Sequence, residues 1–126
     1  MKRLLIMITV LLSIAGCSDG TIEGNKTNYQ TIEIEEVEQY IEKGYAVLDV
    51  REVEEYHSGH IPRAINLPLS GLEKGEFSSI SKDGKYVVIC RSGNRSVAAS
   101  NILTDNGFHV INVKEGMSSW TGDIER

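Results

Sequence analysis

Cys90 follows the apolar run Tyr86-Val87-Val88-Ile89 directly, and Arg91-Ser92-Gly93-Asn94-Arg95-Ser96 comes next, ahead of a helical stretch. A cysteine between a buried strand and a helix sits where ligands bind in open α/β sheets. Successive N–H groups in a tight glycine-containing loop form an anion-binding concavity, and the positive end of the following helix adds to it. Both favour thiolate over thiol. Arg91 and Arg95 bring two permanent positive charges, so a depressed Cys90 pKa and attraction of a small anion are expected. Cys90 is therefore the candidate nucleophile, and Arg91, Ser92, Gly93, Asn94, Arg95 and Ser96 the candidate substrate-binding residues. An isolated cysteine is more often buried and inert; its place in this loop is what reverses that expectation.

Elements on either side must hold this loop. Ala46 to Val50 is a short β-branched run expected of a strand buried on both faces, and Ala64 to Leu67, Tyr86 to Ile89 and Val110 to Val113 repeat the pattern. Ile34, Val37 and Ile41 recur at helical spacing among glutamates before Gly44, and a second helix is expected over Asn94 to Asp105. Alternating strands and helices predict an α/β fold: one parallel β-sheet with helices on both faces. Asp49 and Arg51, at the end of the strand Ala46 to Val50, stand in reach of the Cys90 loop. They serve either to support that loop from outside or to form a local ion pair ordering their own turn.

The chain has 126 residues, 13 Lys+Arg and 18 Asp+Glu, giving −5; without Lys2 and Arg3 the count is 11 against 18, or −7. This charge disfavours nucleic acid. Lys2-Arg3, the apolar stretch Leu4 to Ile14 and the small residues Ala15-Gly16 before Cys17 form a secretory layout, too short for the roughly 20 residues of a spanning helix. Ile14-Ala15-Gly16-Cys17 resembles a bacterial lipobox, although leucine is commoner at the position of Ile14. The resemblance implies a signal peptide over 1–16, a lipidated Cys17 (palmitate among its acyl chains) and an extracytoplasmic domain tethered to a membrane; a plain signal peptide is the other reading. Residues 17–28 read as anchor and linker, and 29–126 as the folded domain. Two cysteines make neither a C-x-x-C pair nor a multi-cysteine metal site, and His57 and His109 lack partners at ligand spacing, so no metal is expected.

The loop Cys90 to Ser96, with L-D-V-R (Leu48 to Arg51), E-Y (Glu55, Tyr56), G-H-I-P-R-A-I-N-L-P (Gly59 to Pro68) and G-M-S-S-W (Gly116 to Trp120), resembles the rhodanese family of sulfurtransferases in order and spacing. Glu115 departs from it, standing where many members have the first glycine of a pair. The resemblance implies a single rhodanese-like domain in which the Cys90 thiolate takes sulfur from a small anionic donor such as thiosulfate and passes it, through a persulfide, to a thiol or cyanide. No cofactor is required. A persulfide carrier or binding module with little turnover would carry nearly the same sequence. Related phosphatases and arsenate reductases use a longer C-x5-R loop, whereas Cys90 and Arg95 make C-x4-R, a cradle better suited to sulfur than to a phosphoryl group. By the same resemblance His60 is expected to order its turn, and Trp120, an indole near apolar Met117, is expected to pack a C-terminal helix as ordinary core.

Overall fold

The structure, a computed structural model, describes residues 27–126. The signal-peptide and lipidation readings, Cys17 included, lie outside the described residues. In chain order the elements are β1 (Gln30–Ile32), a 3-10 turn (Ile34–Glu36), α1 (Val37–Glu42), β2 (Ala46–Asp49), α2 (Val53–Ser58), β3 (Ile65–Asn66), α3 (Leu69–Glu73), β4 (Lys85–Ile89), α4 (Asn94–Asp105), β5 (His109–Val113) and a 3-10 turn (Met117–Ser119).

The five strands form one parallel sheet in the order β1-β5-β4-β2-β3. Its interior strands need apolar residues on both faces, and they have them. Along β4, Tyr86 and Val88 enter one core with Ala99 and Leu103 of α4, while Val87 and Ile89 enter the other with Val37 and, at its margin, Tyr56 of α2. Strand period two thus divides a single apolar run between two cores.

The topology fixes where chemistry belongs. From β2 the chain runs to β3 at one edge, and from β4 it runs to β5 on the other side, so strand order reverses between adjacent β2 and β4. At this switch point α2 and α4 leave for opposite faces and open a crevice beyond the strand ends. Asp49 stands opposite Ile89 in the register, and the Val50 N–H donates to the Ile89 carbonyl at 2.9 Å, fastening the two rims just before Cys90.

Some elements differ from expectation. The helix expected through Ile34, Val37 and Ile41 begins as a 3-10 turn, because Glu33 and Glu36 close a capping box and Glu115 accepts the Ile34 N–H at 2.7 Å. Its third apolar residue, Ile41, is 38% exposed and faces outward. The short β1, α2 and α3 were not anticipated, and the strand expected over Ala64 to Leu67 is reduced to two residues.

Candidate active site

Cys90 directly follows β4 inside the crevice, only 1% exposed. The Gly93 N–H donates to its Sγ at 3.1 Å. Burial pushes the thiol pKa up, but hydrogen bonds from the Ser96 hydroxyl and from the N–H groups of Ser96, Gly93 and Ser92 outweigh it and leave the pKa below its ordinary value. Ser92 is exposed at the mouth, Asn94 is the exposed first residue of α4, and Ser96 is fully buried, its hydroxyl also reaching the Gly93 carbonyl at 3.2 Å.

The loop keeps its N–H groups turned toward sulfur because its carbonyls are engaged elsewhere. Met117 N–H donates to the Cys90 carbonyl at 2.7 Å, and Ser118 holds the Arg91 carbonyl through its N–H at 3.0 Å and its hydroxyl at 2.8 Å. Gly116 permits that approach, since a Cβ there would overlap the Cys90 and Arg91 carbonyls. Gly93 is equally constrained: its φ is +100°, and a Cβ would overlap the Lys114 carbonyl. In the sequence Gly116 to Trp120 stands out only as a motif; its clamping role depends on backbone contacts that spacing alone does not show.

The two arginines of the loop have different surroundings. Arg95 is held by Glu55 of α2 in a bidentate pair, at 2.6 and 2.9 Å, which straps α4 to α2 across the crevice. That pairing holds the Glu55 pKa down at about 2, and the Arg95 charge also interacts with Cys90. Arg91 points outward, exposed, and its side chain has no hydrogen-bond or ion-pair partner among the described residues. The lowering of the thiol pKa comes first from the Ser96 hydroxyl and the loop N–H groups.

Asp49 and Arg51 form the local pair. Asp49 is 0% and Arg51 6% exposed, their closest approach is 2.7 Å, and Arg51 also donates to the Gly59 carbonyl at 2.8 Å. Among the described residues neither side chain bonds the Cys90 loop; Asp49 supports it through the β2–β4 ladder. His60 stacks on Tyr56 with ring centroids 3.7 Å apart, shares a hydrogen bond with the Tyr56 carbonyl at 2.9 Å, and pairs through its backbone with Glu125. Trp120 caps the 3-10 turn rather than a C-terminal helix, because its N–H of the indole ring is taken by the Asp123 carbonyl and the chain turns extended there. His109 meets the Tyr45 hydroxyl at 3.3 Å, and His57 lies edge-on to Tyr56. The carboxylates of Glu33, Glu35 and Glu115 gather within 4.8 Å of one another, where Glu115 accepts the Ile34 N–H.

Beside the loop, Arg51, Glu55, Arg91, Met117, Ser118, Trp120 and Ile124 line a cleft of about 420 Å³. Chemically, the arrangement offers a stabilised thiolate, a cradle of N–H donors for a second negative atom, and an adjoining cleft.

The model of the family described as "Rhodanese-like domain" matches residues 33–123. Bacillus subtilis YrkF, named as a sulfur carrier protein, is 36% identical over 104 residues, covering 80% of this chain and 56% of that protein. YtwF of the same organism, named as a sulfurtransferase, is 39% identical over 79 residues, covering 63% of this chain and 76% of that protein. This chain thus spans little more than half of the first relative. A crystal structure of a rhodanese-related protein from Thermoplasma volcanium superposes with a TM-score of 0.70 at 37% identity, covering 77% of this chain and 98% of that one.

Proposed function

This chain belongs to the rhodanese-like domain family, and from that premise we propose that it is a sulfurtransferase whose nucleophile is Cys90. The observation that carries the reading is the Sγ at the end of β4 with the Gly93 N–H 3.1 Å away and the thiol pKa lowered. The Cys90 thiolate attacks the outer sulfur of an anionic donor such as thiosulfate. The donor S–S bond breaks, sulfite departs with its electron pair, and Cys90 holds a persulfide. Cyanide or a thiolate then attacks the outer sulfur and leaves as thiocyanate or as a new persulfide, restoring the Cys90 thiolate. In both steps negative charge moves by one sulfur atom, within reach of donors already oriented at little reorganisation cost. Every step is carried by side chains and backbone of this chain, with no cofactor.

A carrier role is the second reading, favoured by the likeness to YrkF. The two differ in turnover. With excess thiosulfate and cyanide, an enzyme forms many thiocyanates per chain, and a carrier forms one per loading. Cys90→Ser is expected to abolish thiocyanate formation while leaving the circular dichroism spectrum unchanged; turnover retained in that variant would sink the assignment.

The same proposal places the domain outside the cytoplasm, held to a bacterial membrane through acylated Cys17. Its support is the residue order Lys2 to Cys17. Labelled palmitate incorporated into the chain and lost in Cys17→Ser is the expected result; labelling that persists in Cys17→Ser, or membrane release of the unaltered chain by salt alone, would contradict it.

A further inference from the structure

We infer that the pole of the domain opposite Cys90 lies on an anionic phospholipid surface, which turns the nucleophile away from the bilayer. The inference rests on the reading of Cys17 as a lipid anchor and gives the domain an orientation on the membrane that holds it.

The strands of the sheet are all parallel, so they start at one pole, and Cys90, which follows β4, stands at the other. About 16 Å of strand separates the two ends of β4. The segments that lead into the strands bring lysines to the starting pole. Lys43 precedes β2, Lys82 precedes β4, Lys85 opens β4, and its register partner His109 opens β5. All four are exposed, and none of the three lysines forms an ion pair among the described residues. Each ammonium stands instead over an aromatic ring: Lys43 4.9 Å from the centroid of Tyr40, Lys85 5.5 Å from that of Tyr45 and Lys82 5.8 Å from that of Phe108. The lysine stems thus rest on apolar rings while the charged heads face outward, open to phosphate. Glu42, Asp83 and Asp105 on the same segments bring this pole near neutrality, whereas the chain as a whole carries −5. An anionic surface therefore repels the rest of the domain more than it repels this pole.

Tyr40 and Tyr45 meet edge to face with centroids 5.1 Å apart, and the Tyr45 hydroxyl meets His109 at 3.3 Å. Together with Tyr29, Lys43 and Phe108 they line a groove of about 660 Å³, in which the three tyrosines are half-buried. Rings with an apolar body and a polar tip suit the headgroup layer of a bilayer.

The tether enters the domain at this groove, since Asn28 and Tyr29 are part of its lining. From Cys17 to Thr27 the chain spans at most about 36 Å when fully extended. A domain of about 100 residues, with a radius of gyration of about 13 Å, is nearly that wide. Bringing Cys90 to the bilayer would stretch the tether along the whole flank of the domain; bringing the lysine pole there leaves it slack.

The test adds the full acylated chain to phosphatidylcholine vesicles with and without phosphatidylglycerol. Floated vesicles are treated with a water-soluble acetylating reagent, and peptide masses give the labelling at each lysine. Lys114, which follows β5 at the Cys90 pole, is the internal reference. Labelling of Lys43, Lys82 and Lys85 relative to Lys114 is expected to fall about threefold or more when phosphatidylglycerol is present. In about 1 M salt the ratio is expected to recover while the chain stays with the vesicles. A floated chain with the same ratio on both vesicles would overturn the lipid contact and leave the Cys17 anchor standing. Protection that rises with chain density at fixed lipid composition would give the face to a second copy and overturn the lipid contact as well. A chain left behind on flotation would overturn the anchor and the orientation together.

Discussion

Cys90 combines burial, which disfavours its charged form, with hydrogen bonds that favour it more, and the balance falls toward thiolate. Alkylation by iodoacetamide, limited by access but proportional to thiolate, is therefore expected to show a pH midpoint below that of a free cysteine. Ser96 supplies both a hydroxyl and an N–H, and Ser96→Ala removes the first alone. That variant is expected to move the midpoint upward while leaving secondary structure unchanged; an unmoved midpoint would show that the N–H groups suffice. Gly93 is a harsher position, since alanine there meets both a positive φ and the Lys114 carbonyl. Gly93→Ala is expected to cost about 1–3 kcal/mol in urea unfolding and to slow alkylation at neutral pH.

The loop works because two elements remote in sequence hold it: the turn after β5 grips its carbonyls, and α2 grips α4 through Glu55 and Arg95. Gly116→Ala puts a methyl against the Cys90 and Arg91 carbonyls and is expected to destabilise the fold by about 1–3 kcal/mol and raise the alkylation midpoint. A raised midpoint without loss of stability would place the grip in the loop alone. Much of this was legible from residue order. Strong apolar runs gave β2, β4 and β5, the long α4 was marked by its polar start and uninterrupted helix formers, and Cys90 at a strand end located the crevice. What stayed hidden was set by tertiary contacts. Gln30-Thr31-Ile32 becomes a strand because β5 offers an edge, and Ile34 enters a 3-10 turn because Glu33 and Glu36 cap it and Glu115 accepts its N–H. Nothing in the spacing shows that Glu55, forty positions before Arg95, faces it across the crevice.

At the scale of the molecule, the crevice between β2 and β4 is both the site and a seam, and the pairs that close it make stability depend on pH. Glu55 has a folded pKa of about 2 against an ordinary 4.5, so its contribution is full above the ordinary value and is lost as pH falls from about 4.5 toward about 2. Because the pair is partly exposed, the amount is put at about 1 kcal/mol. The wild-type advantage over Glu55→Gln in urea unfolding is expected at pH 6 and to vanish near pH 2; an advantage independent of pH would assign it to packing. Asp49→Asn leaves the buried Arg51 charge unpaired and is expected to cost about 3–5 kcal/mol, read as a lower unfolding midpoint. Retained stability would mean that the Gly59 carbonyl alone satisfies Arg51. The central claim, that this fold makes Cys90 a sulfur-accepting nucleophile, is tested most directly by the intact mass of the purified protein before and after thiosulfate, with Cys90→Ser beside it and cyanide added last. The account predicts a gain of one sulfur atom that needs Cys90 and disappears with cyanide. An unchanged mass, with Cys90 reduced and open to alkylation, would contradict it.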